Sequence, residues 1–360
     1  MWTKSSRKFC ETLGLSYPII QAPMAGGPTT PALVSAVSEA GGLGFVGAGY
    51  MKPDALRETI TEIRRATDKP FGVNVFVLDD ATLPQGPASS VRRALLDIAE
   101  DLSVSDLNLE PSVSSNLDAH LDVLIEQRVP VVSCTFGVLT ADRISALRAG
   151  GSVVVGTATT SEEAKALEEA RCDAIVLQGF EAGGHRGAFL ANQPDVGLFA
   201  LVPQTCDRVS VPVIASGGIM DGRGIAAALS LGAAAVQMGT AFLTVDESGA
   251  SPVWKQEVRN ASDVSTVLTK AFSGKRARGK RNEFVRRFEA LEDEIPAYPL
   301  QNRITTTLRA AAKAQGRGEY MSLWAGQAAA LSRTVPAAEL MTALVDETEH
   351  VLDAFEVPRS

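Results

Sequence analysis

Short apolar runs rich in β-branched residues recur through the first two thirds of the chain, separated by stretches whose apolar positions fall at helical spacing. The runs lie at residues 18–22, 43–46, 71–76, 131–134, 153–155, 174–177, 211–215 and 234–238. Each is too short for a core helix and too uniformly apolar for a half-exposed strand, so each predicts a strand buried on both faces. Between them, residues 31–40, 53–66, 117–128, 141–149 and 222–231 have helical spacing. A further helix begins at Ser161, in the manner of an N-cap before an acidic first turn that includes Glu163. Eight strands alternating with helices imply parallel pairing through right-handed crossovers, and eight is the number that closes an α/β (β/α)8 TIM barrel. An open doubly wound sheet is the alternative.

The regularity breaks in two places. Residues 79–115, with Pro84, Gly86, Pro87 and Pro111, predict an insertion after strand 3. Beyond about residue 250 the strand signals fade and the chain reads as helical, ending in 337–355, which predicts an extension packed against the barrel mouth. The expected division is a cofactor-binding barrel from 1–78 and 116–249, with 79–115 and 250–360 forming a helical region on the substrate side.

The stretch 173–187 carries the sharpest chemical signal. The sixth apolar run is followed by Gln178, and Gly179, Gly183, Gly184 and Gly187 then surround His185. Glycines there supply backbone freedom, and a titratable ring just past the C-terminal end of a buried parallel strand is where α/β enzymes keep their chemistry. After the seventh and eighth strands come Ser216-Gly217-Gly218-Ile219 and Gly239-Thr240-Ala241-Phe242. In a barrel these turns are neighbours, and their backbone N–H groups suit a phosphate monoester. Asn74 and Gln178, ending strands 3 and 6, each offer a donor and an acceptor suited to the uracil-like edge of a flavin, and Pro23 and Met24 offer surface for its ring. As a set at one barrel end, they point to FMN.

Composition removes other classes. The chain has 360 residues, 45% hydrophobic and 21% charged, with a formal net charge of −8, which disfavours nucleic acid as a partner. No apolar run has the length of a membrane helix and the N-terminus lacks a secretory pattern, so a cytoplasmic location is expected. Cys10, Cys134, Cys172 and Cys206 lack a paired spacing, and His120, His185 and His350 fall in unrelated segments, so no metal is expected. Cys134 reads as a small buried hydrophobe. The GxGxxG match Gly42-Leu43-Gly44-Phe45-Val46-Gly47 runs through a strand instead of opening a helix, and is discarded. The basic run 275–281 reads as a solvated helix face or surface loop. Oligomeric state is not legible.

With these pieces assembled, the sequence resembles the class I nitronate monooxygenases, once called 2-nitropropane dioxygenases, over nearly its whole length. The resemblance rests on Gln21-Ala22-Pro23-Met24-Ala25-Gly26-Gly27, Gly72-Val73-Asn74, Cys134-Thr135-Phe136-Gly137, Glu181-Ala182-Gly183-Gly184-His185-Arg186-Gly187, Gly217-Gly218-Ile219-Met220-Asp221-Gly222-Arg223 and Leu323-Trp324-Ala325-Gly326-Gln327. The Gly-Gly-His element also occurs in the related FMN-dependent enoyl reductases. The resemblance implies FMN-dependent oxidation of alkyl nitronates, such as propionate 3-nitronate, by O2 through a flavin semiquinone. It implies that FMN touches Ala22, Pro23, Met24, Asn74, Gln178, Gly183, Gly217, Gly218, Gln237, Met238, Gly239 and Thr240, and that His185 faces the substrate. Tyr298 is the counterpart of a tyrosine that family members place in the pocket, while Asn302 and Thr306 depart from the family's tyrosines and lysine. His185, at its ordinary pKa of about 6.5, is expected to bind the anion as imidazolium, or when neutral to take the α-proton of a nitroalkane. The alternatives are an NAD(P)H-dependent FMN reductase acting on a quinone or enoyl thioester, and a non-catalytic flavin- or phosphate-binding protein.

Overall fold

The computed structural model describes residues 2–78, 86–112, 115–191 and 193–354. All eight predicted barrel strands form: β1 (Ile19–Gln21), β2 (Gly44–Gly47), β3 (Phe71–Phe76), β4 (Val131–Thr135), β5 (Val153–Ala158), β6 (Ala174–Gln178), β8 (Val213–Ser216) and β9 (Ala235–Met238). The label β7 falls to Gly184–His185, just past β6. The eight pair in parallel in the order β1-β9-β8-β6-β5-β4-β3-β2. A parallel bridge between Ile20 and Leu43 joins the two ends, so the sheet closes into a barrel.

Strand alternation sorts the side chains into two layers. Ile19, Val46, Val73, Val75, Val132, Cys134, Ile175, Leu177 and Val236 point outward into the core shared with the surrounding helices. Ile20, Phe45, Val131, Val155, Ala174, Val176, Ile214 and Ala235 point inward and meet Phe9 and Leu13 of the N-terminal helix Lys4–Leu13, which plugs the floor. Higher up, the inward positions of the same strands turn polar: Asn74, Ser133, Thr135, Thr157, Gln178, Ser216 and Gln237 line a cavity at the C-terminal end. Burial on both faces keeps the strands apolar, and only their last inward positions are free for chemistry.

Gln21 was expected only as part of a strand. It is fully buried, and its side-chain amide extends the short β1–β2 seam: Oε1 accepts from Phe45 N at 3.1 Å and Nε2 donates to Phe45 O at 3.2 Å. The glycines of the discarded fingerprint are packing residues. A Cβ on Gly44 would sit 2.3 Å from Val34 O, and one on Gly47 would sit 2.5 Å from Ala25 N.

Four expectations need correction. The last third is not wholly helical, because β10 (Thr266–Thr269) and β11 (Ala277–Lys280) form an antiparallel sheet whose third strand is β7, the pair that contains His185. The basic run is therefore not a solvated face. Ala277, Arg278 and Gly279 are buried, and the Arg278 guanidinium lies 4.5 Å from the Phe180 ring centre with Nε donating to Phe180 O at 3.1 Å. The final helix, Ala337–Ala354, does not cover the mouth; it lies on the barrel flank against Gly222–Ser230 and Pro31–Glu39. Ser161 does begin a helix, but the cap is Thr160, whose hydroxyl accepts from Glu163 N at 3.1 Å. The insertion contributes the helix Ser89–Asp101, and its Val91, Leu95 and Ile98 share a second core with Phe272, Phe284, Phe288 and Leu308. Residues 79–85 and 113–114 of the insertion, and 355–360, lie outside the described residues.

Candidate active site

The cavity at the barrel mouth encloses about 1270 Å3 of empty space, its opening included. Among the described lining residues there is no carboxylate. The structure brings almost every sequence-predicted site residue to it: Ala22, Pro23, Met24, Asn74, Gln178, Gly183, His185, Gly217, Gly218, Gln237, Met238, Gly239 and Thr240. Tyr298 lines an adjoining cavity, with its ring centre 5.9 Å from that of His185.

Two turns shape one end of the cavity. Gly217 has φ +122° and Gly218 has φ +71°, where a Cβ is strained. A Cβ on Gly239 would meet only Ala22 at 3.5 Å and the Met24 sulfur at 3.9 Å, and Thr240 begins the short helical turn Thr240–Phe242. The Thr240 hydroxyl accepts from Gly326 N at 2.9 Å, so this side chain anchors the C-terminal segment. Gly183 serves the same contact, since a Cβ there would lie 2.5 Å from Ala325 C and Gly326 N.

Gln178 has a part that the sequence did not show. Nε2 donates to His185 O at 2.8 Å and Oε1 accepts from Gly187 N at 2.8 Å, so the amide also holds the histidine loop and keeps one N–H for a ligand's edge. Arg186 reinforces the loop, its Nη1 donating to Gln178 O at 3.0 Å and Gly179 O at 2.7 Å. Farther on, Glu163 is fully buried and accepts from Phe189 N at 2.6 Å and Thr159 N at 2.6 Å. Asn74 donates to Ser133 Oγ at 2.9 Å and Thr135 Oγ1 at 3.1 Å, while its Oδ1 has no partner among the described residues.

His185 is enclosed by rings. Those of Phe136, Tyr298 and Trp324 lie 5.9, 5.9 and 5.4 Å away between centres. Its Nε2 lies 2.8 Å from the Ser273 hydroxyl, and Nδ1 makes no bond among the described residues. Burial, and then the positive charges of Lys275 and Arg309, push its pKa down to about 3. This favours the neutral ring over the expected imidazolium at neutral pH, and positive charge near the ring comes from the other two residues. Lys275 donates from Nζ to Ala188 O at 2.9 Å, lies 4.8 Å from the Phe136 ring centre, and has its own pKa lowered by burial.

Ser273, Lys275, Tyr50 and Arg309 were missed by sequence reasoning. Lys275 was hidden in a run that reads as solvated. Ser273 precedes that run, with nothing local to tie it to a histidine 88 positions earlier. Phe136, quoted only within a motif, has φ +77°, which holds its ring in the wall. Cys134 is buried, and burial raises its thiol pKa, so it is a packing residue. Among the described residues no group of three or more His, Cys, Asp or Glu could hold a metal, and no helix is long and apolar enough to cross a membrane.

Comparison with known proteins places this cavity among relatives. A family model described as nitronate monooxygenase matches residues 7–347. A probable nitronate monooxygenase of Staphylococcus aureus (strain Newman) is 43% identical over 355 residues, covering 98% of this chain and 99% of its own. Among solved structures, a nitroalkane oxidase from Streptomyces ansochromogenes superposes with TM-score 0.89 at 40% identity, covering 97% of this chain and 99% of its own. FabK from Thermotoga maritima superposes with TM-score 0.77 at 34% identity, covering 96% and 97%.

Proposed function

The chain belongs to the nitronate monooxygenase family and is an oxidoreductase, and from that premise we propose that it oxidises alkyl nitronates, such as propionate 3-nitronate, with O2 and with FMN held in the barrel mouth. The observation that carries this reading is the pair of glycine turns beside His185. Gly217, Gly218 and Gly239 offer backbone amides and no Cβ to the space that the FMN phosphate would fill. Asn74, through its free Oδ1, and Gln237 suit the polar edge of the ring system, and Ala22, Pro23 and Met24 suit its face. FMN would supply the electron acceptance that no side chain in the cavity offers.

The protein's own part is to hold the anion. Neutral His185 presents its free Nδ1 to the cavity, and Ser273 holds the ring, its hydroxyl bonded to Nε2 at 2.8 Å while it donates to Lys275 O at 3.1 Å. Lys275 helps balance the nitronate charge from within electrostatic reach of the ring. The aromatic wall keeps water away from the site, which strengthens each of these interactions.

The test is direct. Purified protein should carry flavin absorbance bands, and preformed ethyl nitronate added without oxygen should lower the long-wavelength band, with O2 consumed when air is admitted. If nitronate leaves the bands unchanged and NADH bleaches them rapidly, the function is that of an FMN reductase acting on a quinone or enoyl thioester.

A further inference from the structure

Beyond Tyr50, Phe76 and Trp254, which wall both spaces, lies a second cavity enclosing about 1450 Å3 of empty space, opening included, against about 1270 Å3 for the active-site cavity. One wall is a stripe of the helix Leu300–Ala314, where Asn302, Thr306, Arg309 and Lys313 succeed one another at helical spacing with Arg303 beside them. The opposite stripe, Leu300, Ile304, Leu308 and Ala312, is buried in the second core, so packing turns the polar stripe toward the cavity. Among the described residues this wall carries three cations, Arg303, Arg309 and Lys313, and no carboxylate. Arg309 is half-buried. Its Nε bonds Thr305 Oγ1 at 3.2 Å and its Nη2 bonds Asn302 O and Oδ1 at 2.9 Å each, all neutral oxygens, and its Nη1 has no partner among the described residues.

A half-buried guanidinium whose bonded partners are all neutral favours an incoming oxyanion, and its planar fork matches a carboxylate or a phosphate. We propose that this annex is an oxyanion subsite that takes the carboxylate or phosphate at the far end of an extended substrate whose nitronate head lies at His185. The proposal rests on the nitronate reading. The tail passes Tyr298, which borders the annex and neighbours the His185 ring.

The test compares three preformed nitronates of equal chain length, ending in a methyl group, a carboxylate and a phosphate. In the native holoenzyme, kcat/KM for the anionic tails should exceed that for the methyl tail by about tenfold or more, equivalent to about 1.4 kcal/mol. Arg309→Gln should bring the ratio close to one, and Arg309→Lys should retain much of it. The better of the two anionic tails tells carboxylate from phosphate. Equal kcat/KM for all three tails, or a ratio that survives Arg309→Gln, overturns the proposal. If no nitronate is turned over, the functional reading fails and binding decides the annex alone. Adipate or pentyl phosphate should then change the fluorescence of the tryptophans, Trp254 among them, in the native protein and not in Arg309→Gln; no change at millimolar concentration overturns the subsite.

Discussion

His185 Nε2 and the Ser273 hydroxyl stand 2.8 Å apart although 88 positions separate them in the chain. The contact exists because β7 and β11 pair in one small sheet, with His185 opposite Ala277, and Ser273 sits in the turn leading into β11. A strand pairing laid over the barrel mouth thus sets the orientation of the ring, and the ring's free nitrogen is left for a ligand. Ser273 is a positioning residue in this arrangement. Ser273→Ala should lower kcat/KM on a nitronate by about 5- to 10-fold, the size of one lost hydrogen bond. Ser273→Thr, which keeps the hydroxyl, should restore most of the loss. Flavin content should stay the same in both variants, and equal losses in Ala and Thr would mean that packing, not the hydrogen bond, is what matters.

The depressed pKa of His185 makes a prediction about pH. The folded ring titrates near 3 and the unfolded ring near 6.5, so the unfolded chain takes up the proton first. Stability associated with the neutral ring is complete above about pH 6.5 and is lost as pH falls toward 3. At pH 5 the loss should be roughly 1–2 kcal/mol, seen as a larger pH 7-to-5 drop in unfolding free energy for the native protein than for His185→Asn. Activity gives a second reading. With preformed nitronate, kcat/KM should show no decline through pH 6.5 on the alkaline side; a decline there, abolished in His185→Asn, would return the imidazolium to the mechanism.

How much of this was legible depends on how local each signal is. The eight barrel strands announce themselves because burial on both faces forces continuous apolar runs, and the glycine turns after β8 and β9 because each lies next to its strand. Arg278 shows the limit. Within Lys275-Arg276-Ala277-Arg278-Gly279-Lys280-Arg281 it reads as solvated charge, yet it stacks on Phe180, 98 positions away, in a strand pairing that no local periodicity encodes. Gln178 was legible as a polar residue at a strand end, but not that its amide is engaged by the neighbouring loop. Arg309 was passed over because it looks like an ordinary surface residue of an amphipathic helix, and only the second cavity reveals what it faces.

The glycine turns can be tested apart from the histidine. Alanine at Gly218 would sit at φ +71° with its Cβ 3.2 Å from Glu181 Cβ, and alanine at Gly217 would sit at φ +122° with its Cβ 3.2 Å from Ala182 N. Each must shift the turn by a few tenths of an ångström at a strain of about 1–3 kcal/mol. If the FMN phosphate rests on these amides, either variant should purify with less flavin and bind added FMN at least about tenfold more weakly. Flavin-to-protein absorbance ratios and an FMN titration decide it, and full occupancy with native affinity in both variants would remove these turns from the cofactor site.

The last prediction concerns the closure of the barrel itself. Between β1 and β2 the backbone ladder is short: Leu43 N donates to Ile19 O and Gln21 N to Leu43 O, each at 3.0 Å, and the backbone bonding then stops. The Gln21 amide takes over as a substitute peptide group, bonding both N and O of Phe45, and it also reaches Ala22 O. Leucine at this position would fill similar volume and leave the Phe45 N–H and C=O buried without partners, at about 1–3 kcal/mol for each group. Gln21→Leu should therefore destabilise the protein by about 2–4 kcal/mol in denaturant unfolding. Gln21→Glu is the sharper variant, because a carboxylate can accept from Phe45 N but faces Phe45 O with another acceptor, and it should do no better than leucine. A cost below about 0.5 kcal/mol for both would show that packing alone closes the seam. The seam matters for function because Ala22, Pro23 and Met24 follow Gln21 directly into the cavity wall, so a loosened seam should weaken FMN binding before the rest of the barrel unfolds.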